Sequence, residues 1–520
     1  MVPETITARR RCALARARAI ALATVAYALA WTQAADATRH QLSMDQCIQM
    51  ALQSNLDLQV DRLDPQIARY ALRGSYGAYD PVLHLDAGRS YEDNPADMDP
   101  KKDRPDAAYQ ITTDSYGFGL SGNLPTGLSY GLGAEAAHRS AETFFLATDP
   151  TLPGAIRLTN NWLGTAALTL DQPILRNFWI DEARQTIRVN RKNLKIAELG
   201  LKQEIINTVT KVQLAYYDLV MALEQVKVQR KAVELANQLL LESRQRVQAG
   251  LLTPLDEKQA EARLASAQAS EFAARQAVDE AQEKLKLLIT DDLRSWADVT
   301  LDPTETLVAL PRAFDREESW RRALRLRPDL AQLRLESEKR DIVVKYRFNQ
   351  LFPALDVQGS YGARSVQTDF GELSREVADL SHPSYSYGVV FTLPLANIAA
   401  RNDYRASQAL KQQTLLQVKR LEQSILSQVV IAGKQLEPIF GRVKATQQAR
   451  ENADVALSFE EKKLQVGQST YFIVLELQRT LTEARLAEVR ALSDYNKAQV
   501  ELAFSEGSTL EENSLRVEWK

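Results

Sequence analysis

The chain is poor in the residues from which most recognisable sites are built. Its 520 residues include only two cysteines and four histidines. Two thiols exclude a disulfide framework, and so few Cys and His nearly exclude a Cys/His metal centre. His40, His84, His138 and His382 are scattered and share no ligand spacing. There is no basic excess: 64 Lys and Arg stand against 67 Asp and Glu, which gives nucleic acid no electrostatic footprint. No stretch beyond the N-terminus holds the 18 or more consecutive apolar residues of a membrane-spanning helix. If the mature chain sits in a membrane, only a closed β-barrel satisfies its backbone. No G-x-S-x-G, H-E-x-x-H or P-loop occurs. Gly117-x-Gly119-x-x-Gly122 matches a dinucleotide fingerprint in letters only, because it lies inside an alternating strand pattern and leads into Pro125 rather than a helix. Asp291-Asp292 and Glu317-Glu318 read as solvated charges or helix-start residues, not acid/base dyads. No catalytic constellation emerges, and neither a metal nor a cofactor is expected. What remains, 45% hydrophobic and 25% charged, is the composition of a folded protein.

The N-terminus carries Arg9, Arg10, Arg11, Arg16 and Arg18, then an apolar run from Ala19 to Ala30, then small residues with Ala35-Asp-Ala37 as a cleavage site. This is the three-part layout of a secretory signal peptide over residues 1–37. Twelve apolar residues are too few for the rival reading, an inner-membrane anchor. Cys12 leaves with the signal, so Cys47 is the single thiol of the exported chain. Met44-Asp-Gln-Cys47 lacks the small apolar run of a lipid-attachment site.

Glycine and proline are also few, 21 and 18, and their placement is informative. The chain repeats itself: residues 44–88 align without a gap on 316–360. Leu170-x-x-Pro173 matches Phe391-x-x-Pro394, and Val247-x-x-Gly250-x-x-Thr253 matches Leu464-x-x-Gly467-x-x-Thr470. Two tandem copies follow. The first, 40–314, reads as helix 43–79, β-strands within 81–173, long helix 181–249, return helix 254–290 and a joint, 291–314, of no clear period. The second, 315–510, reads as helix 315–350, strands within 353–394, long helix 403–466 and return helix 470–506, with a tail at 511–520. At 1.5 Å per residue the helix over 181–249 is about 100 Å long. Its apolar residues keep a 4-3 spacing through Ile205, Val209, Val212, Tyr216, Leu219, Leu223 and Val226, then Val233, Leu240 and Val247, which is a coiled-coil seam. Ile425, Val429, Ala432, Leu436, Ile439 and Val443 repeat it, with a local kink expected at Pro438 and Gly441. Gly250 and Gly467 stand where a helix ends, and Thr253-Pro254 where one restarts.

The strands alternate as barrel strands do. Leu83, Leu85 and Ala87 share a face against His84 and Asp86; Tyr385, Tyr387, Val389, Phe391 and Leu393 oppose Ser386, Gly388 and Thr392. Such faces suit lipid outside and water inside. Residues 115–138 form a further hairpin about the short turn Leu124-Pro-Thr-Gly127. Either it adds barrel strands, giving four from the first copy and two from the second, or it projects as an extracellular flap.

The duplication, the helix–strand–long-helix–turn–helix order, the two glycine turns and Leu170-Asp-Gln-Pro173-Ile-Leu175 together resemble the TolC family of outer-membrane channel proteins over about 40–506. The resemblance implies a mixed α+β membrane protein: a homotrimer with one outer-membrane β-barrel continued by a long periplasmic α-helical coiled-coil barrel. It implies the exit duct of a tripartite efflux or type I secretion system, partnered by a periplasmic adaptor and an inner-membrane transporter, with neither enzyme activity nor cofactor. It places Ala249, Gly250, Leu251, Val466, Gly467 and Gln468 at the helix tips that touch the adaptor; Ala249 stands for the usual Val, and Gln468 departs from the usual small or apolar residue. It places Asp256 and Glu476 at the periplasmic gate. Ile473 occupies the position of the second acid, and Ser469 that of an Arg partner, so the gate reads as one acidic ring from Glu476. Three such carboxylates repel one another and attract cations; the plainer reading leaves Glu476 on a solvated helix face. A second class of function, a periplasmic coiled-coil scaffold or adaptor without a channel, shares the long helices but not two sets of lipid-facing strands. An exported enzyme with a helical insert needs a catalytic cluster, and none is seen.

Overall fold

The computed structural model describes residues 39–95, 98–99, 104–105, 108–145, 155–250 and 253–515. The expected signal peptide, Leu251 and residues 516–520 lie outside them. In chain order the elements are β1 (Arg39–Leu42), α1 (Met44–Ser54), α2 (Leu56–Asp61), α3 (Leu63–Gly74), β2 (Val82–Asn94), β3 (Ala108–Asn123), β4 (Ser129–Phe145), β5 (Ala155–Pro173), α4 (Glu182–Gln248) and α5 (Pro254–Ile289). There follow β6 (Thr300–Pro303), α6 (Arg316–Leu326), α7 (Pro328–Asn349), β7 (Ala354–Gln367), α8 (Phe370–Ala378), β8 (Pro383–Thr392), α9 (Ile398–Gln465), α10 (Tyr471–Glu506) and α11 (Thr509–Glu512). Two compact units divide the chain. One takes residues up to Arg62, Leu201–Pro328 and everything from Glu422; the other takes Leu63–Gly200 and Asp329–Leu421.

The first unit is helical. The α4 seam at Val209, Val212, Tyr216 and Leu219 packs with Cys47, Ile48 and Leu58 of the first helices and with Leu285 and Ile289 of α5. Burying each Val, Ile or Leu here contributes about 1.5–3 kcal/mol before the entropy of ordering is subtracted. A second cluster joins Leu436 and Val443 of α9 to Tyr495 and Leu502 of α10. Past Val226 the α4 seam departs from the sequence reading. Leu240 stays buried as expected, but Ala232, Ala236, Leu239 and Ser243 are buried beside it, while Val233 and Val247 are only half-buried. An α-helix drifts about 20° per heptad against a strict seven-residue repeat, so over 67 residues the buried stripe moves to a neighbouring row. In the second copy α9 runs on through Pro438.

The helices expected over 43–79 and 315–350 are each broken. Asn55 takes an extended conformation and its side chain accepts from Leu58 N, which restarts the chain as α2. Arg327 is extended because Pro328 bars the helical conformation to the residue before it. The joint 291–314 holds structure that its composition does not signal. β6 pairs in parallel with β1, from Arg39 opposite Thr300 to Leu42 opposite Pro303. The linker beyond is clamped by two tyrosine hydroxyls: Tyr216 donates to Leu42 O at 3.1 Å and accepts from Glu305 N at 3.3 Å. Tyr495 donates to Leu310 O at 2.5 Å and accepts from Arg312 N at 3.2 Å. Phe314 lies so close over Gly433 that no side chain fits there.

The second unit carries one six-stranded antiparallel sheet in the order β8-β7-β5-β4-β3-β2. Four strands come from the first copy and two from the second. The hairpin over 115–138 lies within the sheet as β3 and β4, between β2 and β5. Registers fix the faces. Leu83, Leu120, Leu132, Leu168, Tyr361 and Tyr385 stand opposite one another across all six strands. The next row is His84, Gly119, Gly133, Ala167, Gly362 and Ser384. One face is apolar and the other polar and small. The short helix α8, absent from the sequence reading, lies on the apolar face. Its Leu373 is buried over Gly164, and Phe370 meets Trp162 with ring centroids 5.0 Å apart.

Both crossings from the sheet to a long helix turn on an asparagine. Asn177 and Asn397, with φ of 67° and 43°, lie in the left-handed region that Asn tolerates better than most residues. Asn177 N donates to Asn349 Oδ1 at 2.7 Å, and Asn397 Nδ2 donates to Leu351 O at 3.2 Å.

Candidate functional site

Two helix–turn–helix ends meet within the helical unit. Leu239 of α4, Leu457 and Leu464 of α9, and Tyr471, Val474 and Leu481 of α10 form one apolar cluster. The Arg246 guanidinium stacks over the Tyr471 ring, 5.3 Å from its centre. Ion pairs zip each hairpin: Arg244 binds Glu257 at 3.1 Å and Glu261 at 2.9 Å, and Arg485 binds Asp454 at 2.9 Å.

Both turns are glycine stops. Gly250 has φ of 73° and its N–H donates to Val247 O at 3.0 Å. Gly467 has φ of 78°; its N–H donates to Leu464 O at 3.2 Å, and Gln468 N donates to Lys463 O at 2.8 Å, the paired bonds of a Schellman turn. Nothing lies within 4 Å of where a Cβ would stand at either glycine, so the left-handed backbone alone requires them. Ala249, Gly250, Val466, Gly467 and Gln468 are exposed; Leu251 falls outside the described residues.

Asp256 closes a capping box. Its Oδ2 accepts from Thr253 N at 3.0 Å and from Thr253 Oγ1 at 2.6 Å, while Asp256 N donates to Thr253 Oγ1 at 3.4 Å. These bonds, the side-chain one first, hold its carboxyl below the usual carboxylate range. Glu476 is paired along its own helix. Arg479 grips its carboxylate with two nitrogens and reaches Glu483 Oε1 at 3.2 Å. The Arg479 hydrogen bond, then the charges of Arg479 and Arg263, keep Glu476 below its ordinary value. With Ser469 in the usual Arg position, Arg479 three residues on supplies the counter-charge, and the Ser469 hydroxyl binds Glu460 Oε1 at 2.5 Å instead.

The sequence reading missed the apolar side chains that the tips expose. Leu255, Val466, Phe472 and Ile473 are 65%, 70%, 64% and 42% exposed. Their signal was present: each lies within six residues of a stop glycine, off the seam. Among the described residues no group of three or more His, Cys, Asp or Glu is placed to hold a metal, and no helix is long and apolar enough to cross a membrane.

No curated protein matches the chain by sequence. Solved structures do match its fold. The outer-membrane channel OprN is 16% identical with a TM-score of 0.65, covering 89% of this chain and 90% of its own. The CmeC outer-membrane channel of Campylobacter jejuni is 16% identical at 0.64, covering 91% and 89%. The outer-membrane protein VceC of Vibrio cholerae is 17% identical at 0.63, covering 89% and 96%. At these identities the likenesses show the fold alone. The family described as outer membrane efflux protein matches residues 47–290 and 320–508, and the chain belongs to that family.

Proposed function

We propose that three copies of this chain form the exit duct of a tripartite efflux or type I secretion system, spanning the outer membrane with their sheets and reaching through the periplasm with their helices. The observation that carries this reading is the two-faced sheet: one row of Leu and Tyr across six strands, the next of Gly, Ala, Ser and His. That pattern suits lipid on one side and water on the other. The Arg-rich leader over 1–37 exports the chain. An inner-membrane transporter supplies energy, and a periplasmic adaptor docks on Ala249, Gly250, Leu251, Val466, Gly467 and Gln468 with Leu255 and Phe472 as apolar anchors. Glu476, with Arg479, lines the periplasmic constriction as a paired charge, and Asp256 serves it by fixing the start of α5. Native mass spectrometry of the detergent-purified protein tests the assembly. The expected mass is three mature chains; a monomer or dimer as the sole species overturns the reading.

A further inference from the structure

The sheet has two unpaired edges. Every residue of β8, and all of β2 but Asn94, is exposed. In a bilayer such an edge leaves a row of N–H and C=O groups without partners, which hydrocarbon does not tolerate. Six strands cannot close on themselves, because even eight leave an interior only just wide enough for side chains. β2 runs away from the short Leu124–Gly127 turn and β8 runs toward it, so the free edges of neighbouring copies meet antiparallel.

We propose that the β8 edge of one copy pairs with the β2 edge of the next, so that three six-stranded sheets close into one eighteen-stranded barrel with an open, water-filled bore. This rests on the trimer proposed above and extends it to the width of the duct. Strands about 4.8 Å apart and tilted 35–45° stagger by about six to eight residues over six strands. Matching faces demand an even stagger. A stagger of six lays all ten residues of β8 along Val82–Tyr91; without stagger only four overlap. Leu85 then faces Val389 of the neighbouring copy, or Phe391 for a stagger of eight. Eighteen strands at that tilt make a wall about 35 Å across, against about 24 Å for twelve. Half of the lumen row, Gly119, Gly133 and Gly362, adds no side chains and Ala167 and Ser384 add little, which leaves a bore of about 25 Å at that level. A polypeptide helix, about 10–12 Å wide, passes it fully hydrated. The membrane part of the duct therefore does not size its cargo, and large hydrated solutes, polypeptides included, lie within its range.

Cysteine pairs in the full-length protein test this. Residues directly opposite in an antiparallel pair have Cα atoms about 4.5–5.5 Å apart, within disulfide reach. The native Cys47 thiol is buried and its pKa pushed up to about 12, so it stays inert. Leu85→Cys with Val389→Cys, or with Phe391→Cys, should link subunits into a covalent trimer on oxidation. Leu83→Cys with Leu120→Cys, and Leu132→Cys with Leu168→Cys, should link within one chain. If a reduced variant does not run as a trimer, Ala87→Cys with Tyr387→Cys or Val389→Cys replaces the edge pair. Edge links without the within-chain links would place the β3–β4 hairpin outside the wall and overturn the eighteen-stranded barrel. Within-chain links without edge links, in a protein that still has the mass of three chains, would overturn edge closure while leaving the trimer standing. A mass other than three chains would defeat the trimer itself.

Discussion

The two helix tips share a glycine stop but differ in how the next helix begins. At the first, Thr253 and Asp256 satisfy each other in a capping box, with Pro254 in place to start α5. At the second, Thr470 makes no side-chain cap bond, and α10 starts with Tyr471, Phe472 and Ile473. Its restraint is borrowed: the turn bonds of Gly467 and Gln468, the Ser469–Glu460 hydrogen bond and the Arg246–Tyr471 stack come from other elements. The first tip is self-supporting; the second depends on its neighbours and, among the described residues, exposes more apolar surface.

The largest effect expected at the tips comes from the glycines. Gly250→Val and Gly467→Val each force a branched residue into the left-handed region, at about 1–2 kcal/mol. Neither site is crowded, so the local strain is equal. Transport should nevertheless fail only for Gly467→Val, with trimers intact on native gels, because the first tip can reset at its capping box. Equal loss of efflux in both variants would remove the distinction between the tips, and normal efflux in Gly467→Val would remove the tip assignment.

A smaller effect separates the caps. Thr253→Ala should destabilise the first tip by about 1 kcal/mol, and Thr470→Ala the second by far less, read as faster amide exchange over the first turns of α5 and α10. The carboxyl of Asp256 is lowered in the fold, so its share of this stability is full above the ordinary carboxylate pKa and disappears as pH falls through the lowered value. Exchange in α5 should accelerate in acid in the natural protein and lose that dependence in Thr253→Ala. An unchanged acid response in the variant would show that the box does not govern the tip.

The sequence disclosed the parts of the fold that rest on period. Long helices, stop glycines and alternating strand faces all write their spacing into the chain, which made the tandem repeat and the lipid-facing rows readable at Leu83, Leu120 and Tyr385. It did not disclose features held by single side chains acting over long separations. The breaks at Asn55 and Arg327 come from one cap and one proline within otherwise helical spacing. The β1–β6 pair joins residues far apart in the chain and is only four residues long. The shift of the α4 seam from Val233 to Ala232 is accumulated drift, invisible to a strict heptad. At the site, the glycines and the helix start at Thr253-Pro254 could be placed from spacing, but the partner of Glu476 could not, because Arg479 is an ordinary helix-surface residue until geometry joins the two.

The account's central claim is that copies of this chain enclose a duct. Electron microscopy of the detergent-purified mature protein addresses it most directly. The account predicts a hollow three-fold particle with a ring about 35 Å across at its sheet end. A solid rod or a compact globule with no lumen would contradict it.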